Sequence, residues 1–388
     1  MTFKKSIFIN YISAVSIFIL VAAPTLKGVL FSSSLFNFLP LFLFAGVIIM
    51  QGGVNKVFKS LNYSLVPLFL FFLIMYVYVY VFYFGFPNLF ELSKYIMLLL
   101  IVIIIPHAVS LKSLDISYAF LFCWGLFLAL KKLFFGIQFT EEFHYLTLGF
   151  AIAVMIIISF FKFIYEINKF KKLLYLIAVI IGYASLLTLF GRSPLLFPTL
   201  LILAYMFFKI MQGIVKFKVI DTAKYLLILI GVLLLINLIV ENYVPSYLLD
   251  KFAEMELGNE DSRTDNLYIP AFNSILSNPF GTGLGSSENI IGFYPHNIFL
   301  EIGIDSGFLG IIFFLVLIFK ASINSLRILK FGEINKTLVI MVFLFWLIFL
   351  FWNVSYGLSS AYGLFSFLSL LHSYKFIQVN SFTKLNIL

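Results

Sequence analysis

Residues 294–319 read YPHNIFLEIGIDSGFLGIIFFLVLIF, a short polar segment that passes directly into a long apolar run. The apolar part, residues 297–319, exceeds the ~18 residues that a helix needs to cross a bilayer. We predict that it forms a membrane-spanning helix. The polar segment before it, which contains Pro295 and His296, then lies at one mouth of that span.

The rest of the chain has the same apolar character. Of its 388 residues, 62% are apolar and only 11% are charged, and the mean hydropathy is +1.09. A soluble domain has about 25% charged residues, so the composition excludes a soluble globule. No alternating ten-residue pattern predicts a barrel, and lipid tolerates only helices or closed barrels because each backbone polar group must be paired. The composition predicts an all-α polytopic membrane protein.

Twelve apolar runs predict membrane spans. They lie at 6–23, 29–50, 63–85, 95–111, 116–130, 144–161, 173–190, 194–211, 224–240, 297–319, 337–352 and 357–374. The chain is thus divided into spans one to nine (1–240), one large loop (241–296), and spans ten to twelve with a tail (297–388). The fifth span is short and is followed by Lys131 and Lys132. Either these lysines snorkel and lengthen it, or the next segment is partly re-entrant.

The basic residues orient these spans. Lys4 and Lys5 place the N-terminus in the cytoplasm, and no cleavable signal is evident in the first apolar run. With twelve alternating spans, 19 of the 26 basic residues are cytoplasmic and seven are on the outer side, as the positive-inside rule expects. Both termini are then cytoplasmic and the large loop faces outward. Because the charges fall at the ends of apolar runs, the net charge of +9 does not indicate a nucleic-acid partner.

The large loop is predicted to contain two short helices. Residues 245–257 have the amphipathic pattern of a helix at the membrane interface. Residues 263–276 predict a second helix with Asp261 or Ser262 as its N-cap. Asn278-Pro279 ends that helix. A flexible or tightly turned loop follows, with three alternating glycines: Gly281, Gly283 and Gly285.

Four histidines are candidates for chemistry. His107 and His372 lie late in predicted spans, and we expect them to be packed or interfacial. His144 opens the sixth span from the outer side, where a structural role and a place in a cavity both stay open. His296 lies at the outer mouth of span ten, where an imidazole titrates near neutral pH and can act as a general base. A purely structural role is the alternative for His296.

The chain has only three arginines. Arg327 lies among cytoplasmic lysines as an orientation charge. Arg192 and Arg263 lie on the outer side, where the positive-inside rule gives no reason for them. Arg192 sits in a short turn between two spans, and its planar guanidinium suits a phosphate because it makes paired hydrogen bonds. A snorkelling interfacial arginine is the alternative for Arg192.

Several reaction classes lack the residues they need. The loop acids do not have EF-hand spacing and no His/Cys cluster occurs, so we predict no metal and no cofactor. The glycine-rich segment 281–285 lacks the Lys-Ser/Thr of a nucleotide loop, and no Gly-x-Ser-x-Gly supplies a serine nucleophile. One outer histidine and two outer arginines remain. They fit transfer from a diphosphate leaving group, in which arginines neutralise the diphosphate and the histidine deprotonates an acceptor hydroxyl.

Three motifs resemble those of the O-antigen polymerase and O-antigen ligase superfamily. His296-Asn297, nine residues and then Gly307-Phe308-Leu309-Gly310 is similar to its His-Asn-x9-Gly-x-x-Gly signature. The segment from Asn278-Pro279 to Gly283 resembles the Asn-Pro and glycine motif of its large outer loop. Gly191-Arg192-Ser193 resembles its short arginine turn. Twelve spans with the large loop between the ninth and tenth also agree with that family.

The resemblance implies metal-independent glycosyl transfer at the outer face of the bacterial inner (plasma) membrane. The donor would be an oligosaccharide on undecaprenyl diphosphate, held within the membrane lipid. By position, His296 would be the catalytic base or would orient the acceptor, while Arg192 and Arg263 would hold the diphosphate. Asn297 would bind substrate beside the histidine. Three weaker candidates are expected near the cavity: Tyr294, Asn266 and Glu301.

The resemblance leaves the acceptor open. A polymerase transfers to the sugar end of another lipid-linked repeat unit, and a ligase transfers to the lipid A–core oligosaccharide. The Phe- and Lys-rich composition favours a polymerase, which would work with a chain-length regulator protein. A lipid-linked oligosaccharide flippase is a more remote alternative, because transporters usually carry ionisable groups near the bilayer midplane and show repeated halves. Here the polar residues gather in one outer loop instead.

Overall fold

The computed structural model describes residues 2–29, 38–52, 65–82, 89–137, 144–189, 191–215, scattered positions from 220 to 231, 264–292, 295–331, 335–375 and 377. Within these ranges the chain is helical and contains no strand. Six helices are long and apolar enough to cross a membrane, and five shorter apolar helices accompany them. The prediction of an all-α, multi-pass membrane protein is therefore confirmed. Most of the predicted ninth span and the whole of 245–257 lie outside the described residues.

Thirteen α-helices are described within these ranges. They are α1 (Thr2–Val29), α2 (Leu39–Met50), α3 (Val66–Phe82), α4 (Leu89–Ala108), α5 (Leu111–Phe135), α6 (Tyr145–Tyr165), α7 (Lys169–Leu187), α8 (Ser193–Val215), α9 (Ile269–Ser277), α10 (Ser287–Ile291), α11 (Ile298–Phe331), α12 (Lys336–Trp352) and α13 (Tyr362–His372). A π-helical turn, Thr264–Tyr268, leads into α9, and a 3-10 turn, Leu358–Ser360, precedes α13.

Several predicted boundaries were wrong at helix ends. Helix α1 continues through Pro24 to Val29, so residue 29 ends the first helix instead of starting the second. Helix α11 continues beyond residue 319 to Phe331, because residues 320–331 contain no glycine or proline, and Gly332 follows its last residue. Together these ends show that apolar runs locate the helices and that polar residues do not reliably end them.

The fourth and fifth predicted spans needed revision at both ends. Helix α4 ends at Ala108 and α5 begins at Leu111, five residues earlier than predicted. Ser110 and Ser113 explain this start by a reciprocal cap: the N–H of Ser110 donates to the hydroxyl of Ser113 at 2.8 Å, and the N–H of Ser113 donates to the hydroxyl of Ser110 at 3.1 Å. At its other end α5 continues through the two lysines to Phe135. The helix is thus longer than predicted. The re-entrant alternative stays a prediction, because residues 138–143 lie outside the described residues.

The chain divides into two compact units. The first consists of residues 1–123, 140–143 and 262–388, and it contains α1 to α4, the first half of α5 and α9 to α13. The second consists of residues 124–139 and 144–261, and it contains the end of α5 and α6 to α8. All the described parts of the large loop belong to the first unit.

Aromatic side chains form the core of the first unit. The rings of Phe71 on α3, Phe314 on α11 and Phe365 on α13 are buried, with centroids 6.1 to 6.4 Å apart. Small hydroxyl side chains join the helices at other points: Ser13 donates to the carbonyl of Ala108 at 2.7 Å. Such side chain-to-backbone bonds between apolar helices are typical of membrane proteins, where helix association depends on close packing and polar contacts.

Helix α6 is the centre of the second unit. Its residues from Leu148 to Phe161 are buried, and it packs against α7 and α8. A Cβ atom added at Gly182 on α7 would lie 2.6 Å from a side-chain carbon of Ile156, so this glycine lets the two helices approach closely.

Candidate functional site

His296 lies directly before α11 in a strained backbone conformation. Its φ of +51° makes it the one non-glycine residue with positive φ in the described part of the chain. A non-glycine residue in this left-handed region costs about 1–3 kcal/mol and persists only where the surrounding structure holds it. The side chain is half-buried and its Nδ1 atom is buried. The surrounding structure thus holds the backbone of His296 in a conformation that it would not adopt by itself.

Asn297 caps α11. Its Oδ1 accepts hydrogen bonds from the backbone N–H groups of Phe299 at 2.9 Å and Leu300 at 3.2 Å. Its Nδ2 donates to the carbonyl of Asn353 at 3.3 Å, just after α12 ends. Asn297 therefore ties the start of α11 to the end of α12. Its predicted contact with substrate stays a prediction.

Glu301 is buried one turn further along α11. Its carboxylate accepts a hydrogen bond of 2.5 Å from the backbone N–H of Leu358, the first residue of the 3-10 turn before α13. A carboxylate in the first turn of a helix is also favoured by the helix dipole. Glu301 thus fixes α11 to the segment between α12 and α13. Three of the predicted residues, His296, Asn297 and Glu301, come together at this helix end.

An open groove lies beside these residues. It has a volume of about 470 Å³ and is bounded by the start of α9 and the start of α11. Its lining is aromatic and aliphatic except for one amide: Tyr268, Ile269, Phe272, Asn297, Phe299 and Leu300. Asn266, a predicted substrate contact, is exposed two residues before Tyr268. The groove suits a hydrocarbon chain better than a sugar, because it offers few polar partners.

Arg192 belongs to the second unit, where it starts α8. Its backbone carbonyl accepts hydrogen bonds from the N–H groups of Leu195 and Leu196 at 3.1 and 3.0 Å, and its side chain is half-buried. The preceding Gly191 packs against the ring of Tyr145, where an added Cβ would lie 2.6 Å from a ring carbon. The turn is therefore tightly packed. The other predicted arginine, Arg263, and Tyr294 lie outside the described residues, and their roles stay predictions.

The other histidines have structural surroundings. His144 caps α6, because its Nδ1 accepts from the N–H of Leu146 at 3.4 Å. Partial desolvation of the ring lowers the pKa of His144, which favours the neutral form that accepts this bond. His372 is buried, and its Nε2 lies 3.2 Å from the carbonyl of Leu317, so the prediction that it is packed is confirmed. His107 is half-buried in the last turn of α4.

The two glycine motifs of the first unit contact each other. Helix α11 is broken at Gly307, where φ is +64° and ψ is −161°. The loop after α9 pairs with the backbone groups on both sides of this break. The N–H of Thr282 donates to the carbonyl of Ile304 at 2.8 Å, and the N–H of Phe308 donates to the carbonyl of Pro279 at 3.0 Å. The loop therefore satisfies polar groups that a broken helix leaves unpaired.

Only glycine fits at the centre of this contact. At Gly307 an added Cβ would lie 2.1 Å from the carbonyl oxygen of Pro279. At Gly281, where φ is +86°, it would lie 2.6 Å from the carbonyl oxygen of Asp305. The loop is therefore tightly turned. The sequence alone does not show that these two glycine motifs contact each other.

Asp305 is the residue that the sequence analysis missed. It is fully buried, and its carboxylate accepts from the N–H of Gly285 at 2.9 Å and from the hydroxyl of Ser286 at 3.4 Å. Its backbone carbonyl accepts from the N–H of Gly283 at 2.9 Å. A carboxylate within an apolar span is costly unless it is paired. Its position in an otherwise apolar run was the available signal.

No protein-family model matches this chain, and no curated protein matches it. In the described ranges, no group of three or more His, Cys, Asp or Glu side chains is arranged to hold a metal ion. The fold and the site define a helical multi-pass membrane protein with a strained histidine, capped helix end and apolar groove in one unit. A more specific function is a proposal.

Proposed function

We propose that the protein is a glycosyltransferase that joins undecaprenyl-diphosphate-linked repeat units at the outer face of the bacterial inner membrane, as an O-antigen polymerase does. The observation that carries this proposal is the placement of His296. This half-buried histidine in a strained conformation directly precedes Asn297, which lines an apolar groove at the end of a membrane helix. Strained residues of this kind cluster at active sites.

The proposed reaction needs a base and a stabilised leaving group. His296 takes the proton from the acceptor hydroxyl as its oxygen attacks the anomeric carbon of the donor sugar. The bond from that carbon to the diphosphate oxygen breaks, and undecaprenyl diphosphate leaves with the electron pair. Arg192 and Arg263 neutralise the charge that develops on the diphosphate. No metal or cofactor takes part in this scheme.

The groove supports a donor with a hydrocarbon chain. Its lining of Phe272, Phe299 and Leu300 provides an apolar surface beside Asn297, the residue that follows His296. The first isoprene units of a polyprenyl diphosphate would lie there, with the diphosphate at the polar end. A polyprenyl chain that enters the groove comes from the bilayer, which is as apolar as the groove, so the contact supplies packing and orientation and no hydrophobic driving force. The lipid anchor therefore helps to position the donor, and the polar cluster contributes to catalysis.

Polymerase and ligase differ in the acceptor, and the motifs that resemble the superfamily are shared by both. The Phe- and Lys-rich composition favours the polymerase, and the ligase is the alternative. A flippase is the remaining alternative, although the polar groups described at the start of α11 lie at a helix end and not at a helix centre.

A glycan ladder from a strain that lacks this gene separates these functions. A polymerase predicts surface glycan of a single repeat unit. Complete loss of attached polymer while lipid-linked chains accumulate indicates a ligase, and repeat units trapped at the cytoplasmic face indicate a flippase. An unchanged ladder would contradict all three. Plasmid-borne wild-type protein must restore the ladder as the control.

A further inference from the structure

We propose that Asp305 and the loop 278–286 form a clasp that positions His296, and that Asp305 is a positioning residue for the transfer reaction. This inference rests on the proposed function. The clasp is defined as Asp305, Gly307 and the loop 278–286. It acts on the N-terminal segment of α11, residues 298–306, which begins directly after the His296-Asn297 pair.

The break at Gly307 separates this segment from the rest of α11. An unbroken helix would fix the orientation of its first residues through continuous backbone hydrogen bonds. Here the helical backbone is interrupted, so the segment needs other contacts to hold its direction. Its nine residues span about 13 Å at the helical rise of 1.5 Å per residue. A small rotation at the break therefore moves His296 by ångströms.

The clasp supplies the missing contacts at the break. The hydroxyl of Thr282 donates to the carbonyl of Ile304 at 2.9 Å and lies 2.7 Å from the hydroxyl of Ser286. Ser286 and the N–H of Gly285 both bind the Asp305 carboxylate. The loop thus makes hydrogen bonds both to the backbone of α11 and to the buried carboxylate of Asp305. Asp305 and Glu301 are the two buried carboxylates of the segment 298–306.

Two further contacts make the clasp a rigid support. The hydroxyl of Tyr78 on α3 donates to the carbonyl of Gly281 at 3.2 Å, which joins the loop to another helix of the same unit. Before the loop, α9 packs its buried Ala271 and Ile275 against Ile304 of α11. The loop therefore transmits the position of α3 and α9 to α11.

The two ends of the segment 298–306 are held by different contacts. At the start, Asn297 and Glu301 bind backbone groups near α12 and α13. At the other end, the clasp binds around Asp305. If the clasp opens, only the contacts of Asn297 and Glu301 hold the segment, and rotation at the break displaces His296, whose conformation only its surroundings impose. The expected result is a misplaced base, while the α9 side of the groove (Tyr268, Ile269 and Phe272) lies outside the segment that moves.

The test measures donor kinetics and local backbone opening in the same purified, full-length variants. The donor is undecaprenyl-diphosphate-linked repeat unit extracted from a strain that lacks this gene. We expect Asp305→Ala to lower kcat about tenfold or more, because small misplacements of a catalytic group are costly. KM for the donor should rise by a smaller factor than kcat falls, because Tyr268, Ile269 and Phe272 of the groove lie outside the segment. Hydrogen exchange of the peptide covering 295–306 should become faster.

A matched pair at Thr282 controls for a variant that fails to fold. Thr282→Val removes the hydroxyl and keeps the shape, whereas Thr282→Ser keeps the hydroxyl. We expect Thr282→Val to lower kcat and speed exchange in the 295–306 peptide, and Thr282→Ser to restore both. If Asp305→Ala does not accumulate, this pair decides the proposal.

The two readouts separate this inference from the proposed function. Faster exchange with unchanged kcat would overturn the positioning role, and so would unchanged exchange in Thr282→Val. A matching rise in KM would also overturn it, because the clasp would then serve donor binding. If the wild-type protein shows no transfer at all, the proposed function fails, and unchanged exchange still overturns the clasp by itself.

Discussion

At the scale of single residues, the start of α11 combines capping with proposed chemistry. His296 occupies a backbone conformation that glycine prefers, and Asn297 and Glu301 bind the backbone around it. Asn297 and Glu301 therefore have a structural role, whether or not they also contact substrate. Variants that preserve the cap and change the chemistry can separate the two roles.

Asn297 allows such a separation. We predict that Asn297→Ala lowers the free energy of unfolding by about 1 kcal/mol, the usual cost of losing an N-cap acceptor. Asn297→Asp keeps the acceptor oxygen but loses the Nδ2 hydrogen bond to the carbonyl of Asn353. In a thermal unfolding curve of the detergent-solubilised protein it should therefore lose less stability than Asn297→Ala, which loses both contacts. If transfer by Asn297→Asp falls by more than its small loss of stability explains, the amide also serves substrate. Equal destabilisation by both variants would contradict the capping role of Oδ1.

A substitution at Arg192 tests whether transfer needs the planar guanidinium group or only a positive charge. Arg192→Lys keeps the positive charge but loses the paired hydrogen bonds that a guanidinium makes to a phosphate. We predict a loss of transfer of about tenfold or more with unchanged protein level, measured as polymer formed by membranes with lipid-linked repeat units. The capping carbonyl of Arg192 is unaffected by this change. Full activity of Arg192→Lys would remove Arg192 from the proposed site.

At the scale of elements, α11 is two helical segments joined at Gly307 and held by the loop after α9. The sequence predicted a helix at 263–276, its end at Asn278-Pro279 and the apolar span that follows, because each depends on local residue preferences. The first part of that helix is instead the π-helical turn Thr264–Tyr268, and its predicted N-caps, Asp261 and Ser262, lie outside the described residues. The contact between the loop and α11 was not predictable from these preferences. It depends on shape complementarity between segments some twenty residues apart, and one sequence shows no pairing between them.

A substitution at the break tests this element directly. Gly307→Ala adds a methyl group within 2.1 Å of the Pro279 carbonyl oxygen and disfavours the positive φ. We predict a loss of about 2 kcal/mol or more, seen as a lower midpoint of thermal unfolding. Gly46→Ala on α2 is the control, since nothing lies within 4 Å of its added Cβ. Equal midpoints for the two variants would contradict the described fit.

At the scale of the whole molecule, the composition decided the class and the charge pattern predicted the orientation. Apolar runs identified the helices because lipid requires every backbone group to be paired within a helix. The same runs could not show that Ser110 and Ser113 start α5 or that α11 continues to Phe331, since polar residues occur within both helices. The sidedness of the site follows only from the positive-inside rule and stays a prediction.

Cysteine labelling tests the predicted orientation. In a Cys123→Ser background, we introduce one cysteine at Asn289, which is exposed near α10, or at Lys169, which is exposed at the start of α7. A membrane-impermeant maleimide added to intact spheroplasts should label position 289 and not position 169. After permeabilisation both should react, which is the control for accessibility. Labelling of position 169 alone before permeabilisation would reverse the topology.

The central claim is that His296 acts as the base in glycosyl transfer, and one measurement tests it most directly. Membranes carrying wild-type protein or His296→Ala at equal levels are incubated with extracted undecaprenyl-diphosphate-linked repeat units, and the products are separated by length. We predict a ladder of extended glycans with the wild type and only single units with His296→Ala, because removal of a general base costs about 10²–10⁴-fold in rate. A wild-type ladder from His296→Ala would contradict the account.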